Sequence, residues 1–227
     1  LNLARRGLKH FFDDLGKEGG WDEGIGYWGY AVRSVLLLGE AMSRLLDDQK
    51  LLHQRGMEQT GLFPIYFTPN GHPASFGDAA QAPLHGTLYL LGRYFDRTEI
   101  TWWLDTYSLN HDPSTMDWSR AGLALLFRDT ENGVIEPKLE PVKVFQQVGW
   151  AAMADTWPRP KMYVAVKTGD LATSHAQRDM NSLQLQVDGE MILTDVGHPP
   201  DEGSDYFSRE RNRFYEVQAP AHNTITV

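Results

Sequence analysis

Cysteine is absent from the 227 residues. That excludes disulfides and thiolate metal sites, and leaves His, Asp and Glu as possible metal ligands. Long apolar runs are also missing. None reaches the roughly 20 residues that a helix needs to cross a bilayer. Basic residues are scarce, with 21 Lys and Arg against 30 Asp and Glu, for a formal net charge of −9. This argues against nucleic acid as the main partner, but a local basic patch still leaves room for an anionic polymer. No basic stretch leads into an apolar one near the start, so no secretory leader is read there. The chain opens at Leu1-Asn2-Leu3 without an initiator Met, and Asn223 to Val227 reads as a strand cut in mid-course. Both ends are therefore expected to be cuts in a longer protein.

What is present is the composition of a folded chain: 41% hydrophobic, 22% charged and 11% aromatic residues. An aromatic surplus either lines a sugar-binding cleft or fills a large core. The period of the pattern divides the sequence in two. From Gly26 to Asp48, Trp28, Val32, Val35, Leu36, Met42, Leu45 and Leu46 follow the spacing of one buried helix face. Asn2 to Leu15, Pro83 to Tyr94, Ile100 to Leu109 and Ser119 to Phe127 read as further helices. The stretch Gly61 to Gln81, rich in Pro and Gly, reads as a long functional loop.

After Glu136-Pro137 the period becomes two. Val142 to Phe145, Met162 to Val166, Leu183 to Val187 and Met191 to Leu193 read as strands, with Asp188-Gly189 as a hairpin turn. Tyr215 to Gln218 and Thr224 to Val227 complete the predicted set. The expected fold class is α+β, with a helical portion over 1–136 and an antiparallel sandwich beginning over 137–227.

Three segments can carry chemistry. In Gly19 to Tyr30, glycines crowd the start of a helix, which suits a backbone passing close to something. Tyr27 and Tyr30, three apart, can share one face of its first turns. In Ser174 to Ser182, His175 sits on a polar loop entering a strand, where it is available for proton transfer, while Asp179 and Asn181 can cap the turn. The third segment sets Asp195, at a strand end, with His222, before another strand. Such a pair can converge as hard metal ligands.

Together these segments resemble the heparinase II/III family of polysaccharide lyases. Glu23-Gly24-x-x-Tyr27 is similar to that family's Glu-Gly-x-x-Tyr, and His175-x-x-x-Asp179-x-Asn181-Ser182 to its His-x-His-x-Asp-x-Asn-Ser. Asp195-x-Gly197, His222-Asn223-Thr224 and the loop Ser75-Phe76-Gly77-Asp78 follow the family's order. The resemblance implies the end of an (α/α) toroid followed by an antiparallel β-sandwich. It implies β-elimination on a uronic-acid-containing polysaccharide such as a glycosaminoglycan or alginate, in a periplasmic or secreted protein, with a homodimer left open. Tyr27 is the implied acid and a candidate base, His175 the second proton-transfer group, and Tyr206 a further candidate. Glu23, Tyr30 and Asn181 are the implied substrate contacts, and the alternating Arg209, Arg211 and Arg213 either hold carboxylates or sulfates or form a solvated loop. In an extended segment the three arginines would share one face. With a uronate ring between them, the polar tips of Tyr27 and His175 are expected to stand several ångströms apart.

The family's second His is Gln177 here. The implied zinc site of Gln177, Asp195 and His222 is weakened accordingly, because an amide oxygen binds zinc less well than imidazole. The residue that neutralises the uronate is expected upstream of Leu1. A uronyl epimerase and a non-catalytic glycan-binding scaffold are the competing functions.

Overall fold

The computed structural model describes residues 2–74, 76–78, 85–108, 118–129, 134–173, 175–198, 203 and 205–225. Ser75, Ser174, Gly133 and the terminal Thr226-Val227 lie outside them. Among the described residues six α-helices come first: α1 (Asn2–Leu15), α2 (Ile25–Leu46), α3 (Leu62–Tyr66), α4 (Tyr89–Phe95), α5 (Thr98–Ser108) and α6 (Trp118–Phe127). Five strands of the described residues follow: β1 (Val142–Phe145), β2 (Trp150–Ala154), β3 (Met162–Lys167), β4 (Leu183–Val187) and β5 (Glu190–Leu193). They form one antiparallel sheet in sequence order.

The chain divides into two compact units. One comprises residues 1–20, 28–65 and 83–138, and the other residues 21–27, 66–82 and 139–227. The second unit thus takes two segments from the helical half of the sequence.

In the first unit, α2 buries Trp28, Val32, Val35, Leu36 and Met42, the stripe its spacing predicts. Leu45 and Leu46 depart from it, at 81% and 56% exposure, because the helix outruns its packing. Trp28 Nε1 donates to Thr60 Oγ1 at 2.7 Å, and that hydroxyl donates on to the Gly19 carbonyl. Gly19 has φ +74°, and a Cβ there would lie 2.3 Å from Thr60 Cα, so only glycine lets the two strands of chain meet. One turn beyond Leu36, the buried Glu40 receives Arg44, Arg93 and the Tyr94 hydroxyl. Burial pushes its carboxyl up, but these three bonds outweigh it and bring the pKa down to about 2.

In the second unit, one face of the sheet is buried. It carries Phe145, Trp150, Ala152, Tyr163, Ala165, Lys167, Gln184 and Gln186. The register puts them side by side, with Phe145 opposite Trp150, Trp150 opposite Lys167, Ala152 opposite Ala165 and Tyr163 opposite Gln186. Tyr66, Phe67, Asn70 and Phe76 cover this face. Phe67 and Phe76 meet Trp150 edge-on at 5.2 and 5.1 Å. Tyr163 donates to the Tyr66 carbonyl, and Asn70 Nδ2 to Gln186 Oε1. The other face exposes Val142, Val144, Met153, Met162 and Leu183.

β2 was not predicted, because Ala151, Ala152 and Ala154 give no contrast between its two faces and have weak strand preference. α3 was not predicted either. Pro64 hid it, although proline is tolerated in a first turn. The predicted strand at Tyr215 to Gln218 is corrected. Residues 209–221 form three successive 3-10 turns, and residues 224–225 form no strand.

Candidate functional site

The residues that matter lie in the second unit. Gly24, at φ +92°, lets the chain turn into α2, and Tyr27 stands half-buried in the first turn of that helix. Trp21 Nε1 donates to Glu23 Oε2 at 3.2 Å, so Glu23 is engaged locally. On the loop before β4, His175 adopts a left-handed φ of +57°. Its carbonyl passes 3.3 Å from where a Cβ on Gly77 would stand, so a side chain at Gly77 would crowd it.

The rings of Tyr27 and His175 stack with centroids 4.0 Å apart and planes at 23°. No sugar ring fits between faces at that spacing. The expectation of a uronate between them is corrected. Phe207 closes against the imidazole edge-on at 5.7 Å.

Asp78 lies beneath. Its Oδ2 is 3.0 Å from His175 Nδ1. Its Oδ1 accepts from the Tyr206 hydroxyl at 2.6 Å, Arg211 Nη2 at 2.8 Å and Gln177 Nε2 at 2.9 Å. Burial raises the carboxyl's pKa, but the bonds from Arg211, Tyr206 and His175 prevail, and it falls below the usual carboxylate value. Tyr206 is fully buried. Burial and the bond to Asp78 raise its hydroxyl far above an ordinary tyrosine, so it is a fixed donor to Asp78 and does not line an open site.

Arg211 lies 4.4 Å over the Tyr206 ring and donates to the carbonyls of His175 and Ala176. Arg213 is exposed and pairs with Glu210, and Arg209 is exposed. The three arginines therefore do not share a face. Ser208 caps the first of the 3-10 turns by accepting from Glu210 N, and that turn rotates them apart. Asn181 is exposed at φ +59° in the turn before β4. Tyr30, in the other unit, is 67% exposed beneath Arg33.

Asp195 and His222 do come together, with His222 Nδ1 2.8 Å from Asp195 Oδ2. The other oxygen, Asp195 Oδ1, accepts from Gly197 N. Gln177 turns its amide nitrogen to Asp78, to the Gly197 carbonyl and to the Tyr206 hydroxyl. The first two can only accept, which fixes the amide's orientation. Among the described residues, Gln177 Oε1 and His222 Nε2 are buried without a hydrogen-bond partner. One amide oxygen and one imidazole nitrogen fall short of the four ligands of a structural zinc, and both nearby carboxylates are committed. Among the described residues no group of three or more His, Asp or Glu can hold a metal. The described residues do not by themselves complete a zinc site. Dialysis against a chelator is expected to leave the melting temperature unchanged, and a clear drop would contradict this reading.

Asp78 is the residue that sequence reasoning missed as a functional group. The loop Phe76-Gly77-Asp78 was noticed, but nothing in one sequence signals that a single carboxylate gathers donors from residues about 100 to 130 positions away.

The sequence model of the heparinase II/III-like C-terminal family matches residues 137–227. No curated protein sequence matches the chain. Among solved structures, the fold is similar to that of a mutant of heparan sulfate lyase HepC from Pedobacter heparinus, with a TM-score of 0.67 at 16% identity over 97% of this chain. It is similar to a heparinase III gene product, with a TM-score of 0.63 at 18% identity over 98%. Another heparinase III gives 0.61 at 15% identity over 96%. The chain spans about a third of the length of these structures, 32% to 33%. Among the described residues, no helix is long and apolar enough to cross a membrane. The heparinase II/III-like C-terminal model thus matches the sheet-bearing part of the chain, and the fold of nearly the whole chain is similar to that of these structures.

Proposed function

We propose that the protein is a polysaccharide lyase that cleaves a uronate-containing anionic polymer by β-elimination, with Tyr27 and His175 as its proton-transfer groups. One base removes the proton on C5 of the uronate. The electron pair forms the C4–C5 double bond, the bond from C4 to the glycosidic oxygen breaks, and an acid protonates that oxygen. Both proton-transfer groups must reach the same sugar, about 3 Å from the atoms they serve. The observation that carries the reading is the Tyr27–His175 stack, which brings the two groups within reach of one substrate edge. Tyr27 serves as the acid, and His175 as the partner that accepts or stabilises charge.

Glycosaminoglycans are the first polymers to test, because one structural relative is a heparan sulfate lyase. The test is a scan of uronic-acid polymers with the full-length protein, following the ultraviolet absorbance of the new double bond. A rise on at least one polymer is expected. Deuterium entering C5 from solvent without any rise would instead identify an epimerase. Neither signal on any polymer would favour the glycan-binding scaffold.

A further inference from the structure

We infer that Asp78 is the positioning residue of this site: its carboxylate holds His175 in the tautomer with hydrogen on Nδ1 and leaves Nε2 as the lone-pair nitrogen. The inference rests on the role proposed above for His175. A carboxylate offers about four lone-pair sites, and Asp78 is met by four donors. Arg211 Nη2 and the Gln177 amide nitrogen can only donate, and with the Tyr206 hydroxyl they converge on Oδ1. An oxygen gathering three donors has no place for a proton of its own. The Arg211 guanidinium beside it keeps the carboxyl ionised, so Oδ2 accepts as well and His175 Nδ1, 3.0 Å away, supplies the hydrogen.

The backbone is held for the same purpose. Arg211 bonds both Asp78 and the carbonyls of His175 and Ala176, so one guanidinium fixes the carboxylate and the loop that carries the imidazole. The left-handed φ at His175 is uncommon for a residue with a side chain, and this clamp maintains it. With Nδ1 committed below and the ring face against Tyr27, Nε2 is the nitrogen left for a substrate. Among the described residues it makes no hydrogen bond.

A purely structural Asp78 would stabilise the fold without deciding where the imidazole proton sits, and nitrogen NMR on histidine-labelled full-length protein separates the two roles. In the wild type, His175 is expected to show a protonated Nδ1 and a lone-pair Nε2. In Asp78→Asn, the amide can accept or donate, so the tautomers should mix. The kcat should fall by roughly 10²- to 10⁴-fold with KM little changed. Hydrogen on Nε2 in the wild type would overturn the inference. So would a folded Asp78→Asn that keeps both the wild-type tautomer and the wild-type kcat. If Asp78→Asn does not fold, the wild-type spectrum decides alone. The spectrum needs no substrate, so failure of the lyase reading would appear in turnover and failure of this inference in the nitrogen shifts.

Discussion

Replacing Tyr27 by Phe in the full-length protein should lower kcat by about 10²- to 10⁴-fold, the usual effect of removing a positioned proton-transfer group. Only the hydroxyl is lost. The ring remains in the first turn of α2, and its stack on His175, 4.0 Å between centroids, needs no oxygen. Folding should therefore be intact, and polymer binding should change little. The check is a pair of measurements on one preparation: turnover by ultraviolet absorbance, and polymer affinity by titration. Wild-type turnover in Tyr27→Phe would end the role assigned to Tyr27. Equal losses in affinity and turnover would make Tyr27 a binding residue. His175→Ala should match the loss in turnover.

The largest stability effect is expected at Asp179. Both of its oxygens accept from Lys167 Nζ, at 2.7 and 2.8 Å, and both side chains are almost wholly buried. Lys167 projects from β3 opposite Trp150, and its ammonium lies 5.8 Å from that ring's centre. Taking away one partner leaves an uncompensated charge inside, which typically costs about 3–5 kcal/mol. Asp179→Asn should lower stability by that amount in urea denaturation followed by near-ultraviolet circular dichroism. Replacing both partners by apolar residues of similar volume should recover much of the loss, because the desolvation of both charges disappears together. A loss below about 1 kcal/mol in Asp179→Asn, the level of an exposed pair, would show that the pair is not dry.

The parts of the fold legible in the sequence were those whose signal is local. Asp188-Gly189 announced a hairpin, and the two residues take φ of +50° and +87° between β4 and β5. The stripe Trp28, Val32, Val35, Leu36 and Met42 announced the buried face of α2. Where the local signal misled, a neighbour decided. Tyr215 to Gln218 alternates like a strand, yet it lies in a run of 3-10 turns that includes Pro220, which has no N–H for a sheet ladder. Of the candidate site, Tyr27 and His175, which the motif spacing selects, come together in one stack. Tyr206 was selected as a reacting group, but its burial against Asp78 makes it a donor to that carboxylate. Asp195 and His222, a pair the sequence offers as metal ligands, do come together, and they meet each other through Oδ2 and Nδ1. The Gln177 amide nitrogen fills the space with three direct hydrogen bonds, where an imidazole would offer a lone pair.

The most direct test of the central claim is to digest the best polymer with the full-length protein in water enriched in oxygen-18 and to weigh the products. Elimination breaks the bond from C4 to the glycosidic oxygen without adding water. The account therefore predicts fragments with an unsaturated, ultraviolet-absorbing end and no oxygen-18 introduced by cleavage. Saturated ends carrying one heavy oxygen per cut would mean hydrolysis, and would contradict it.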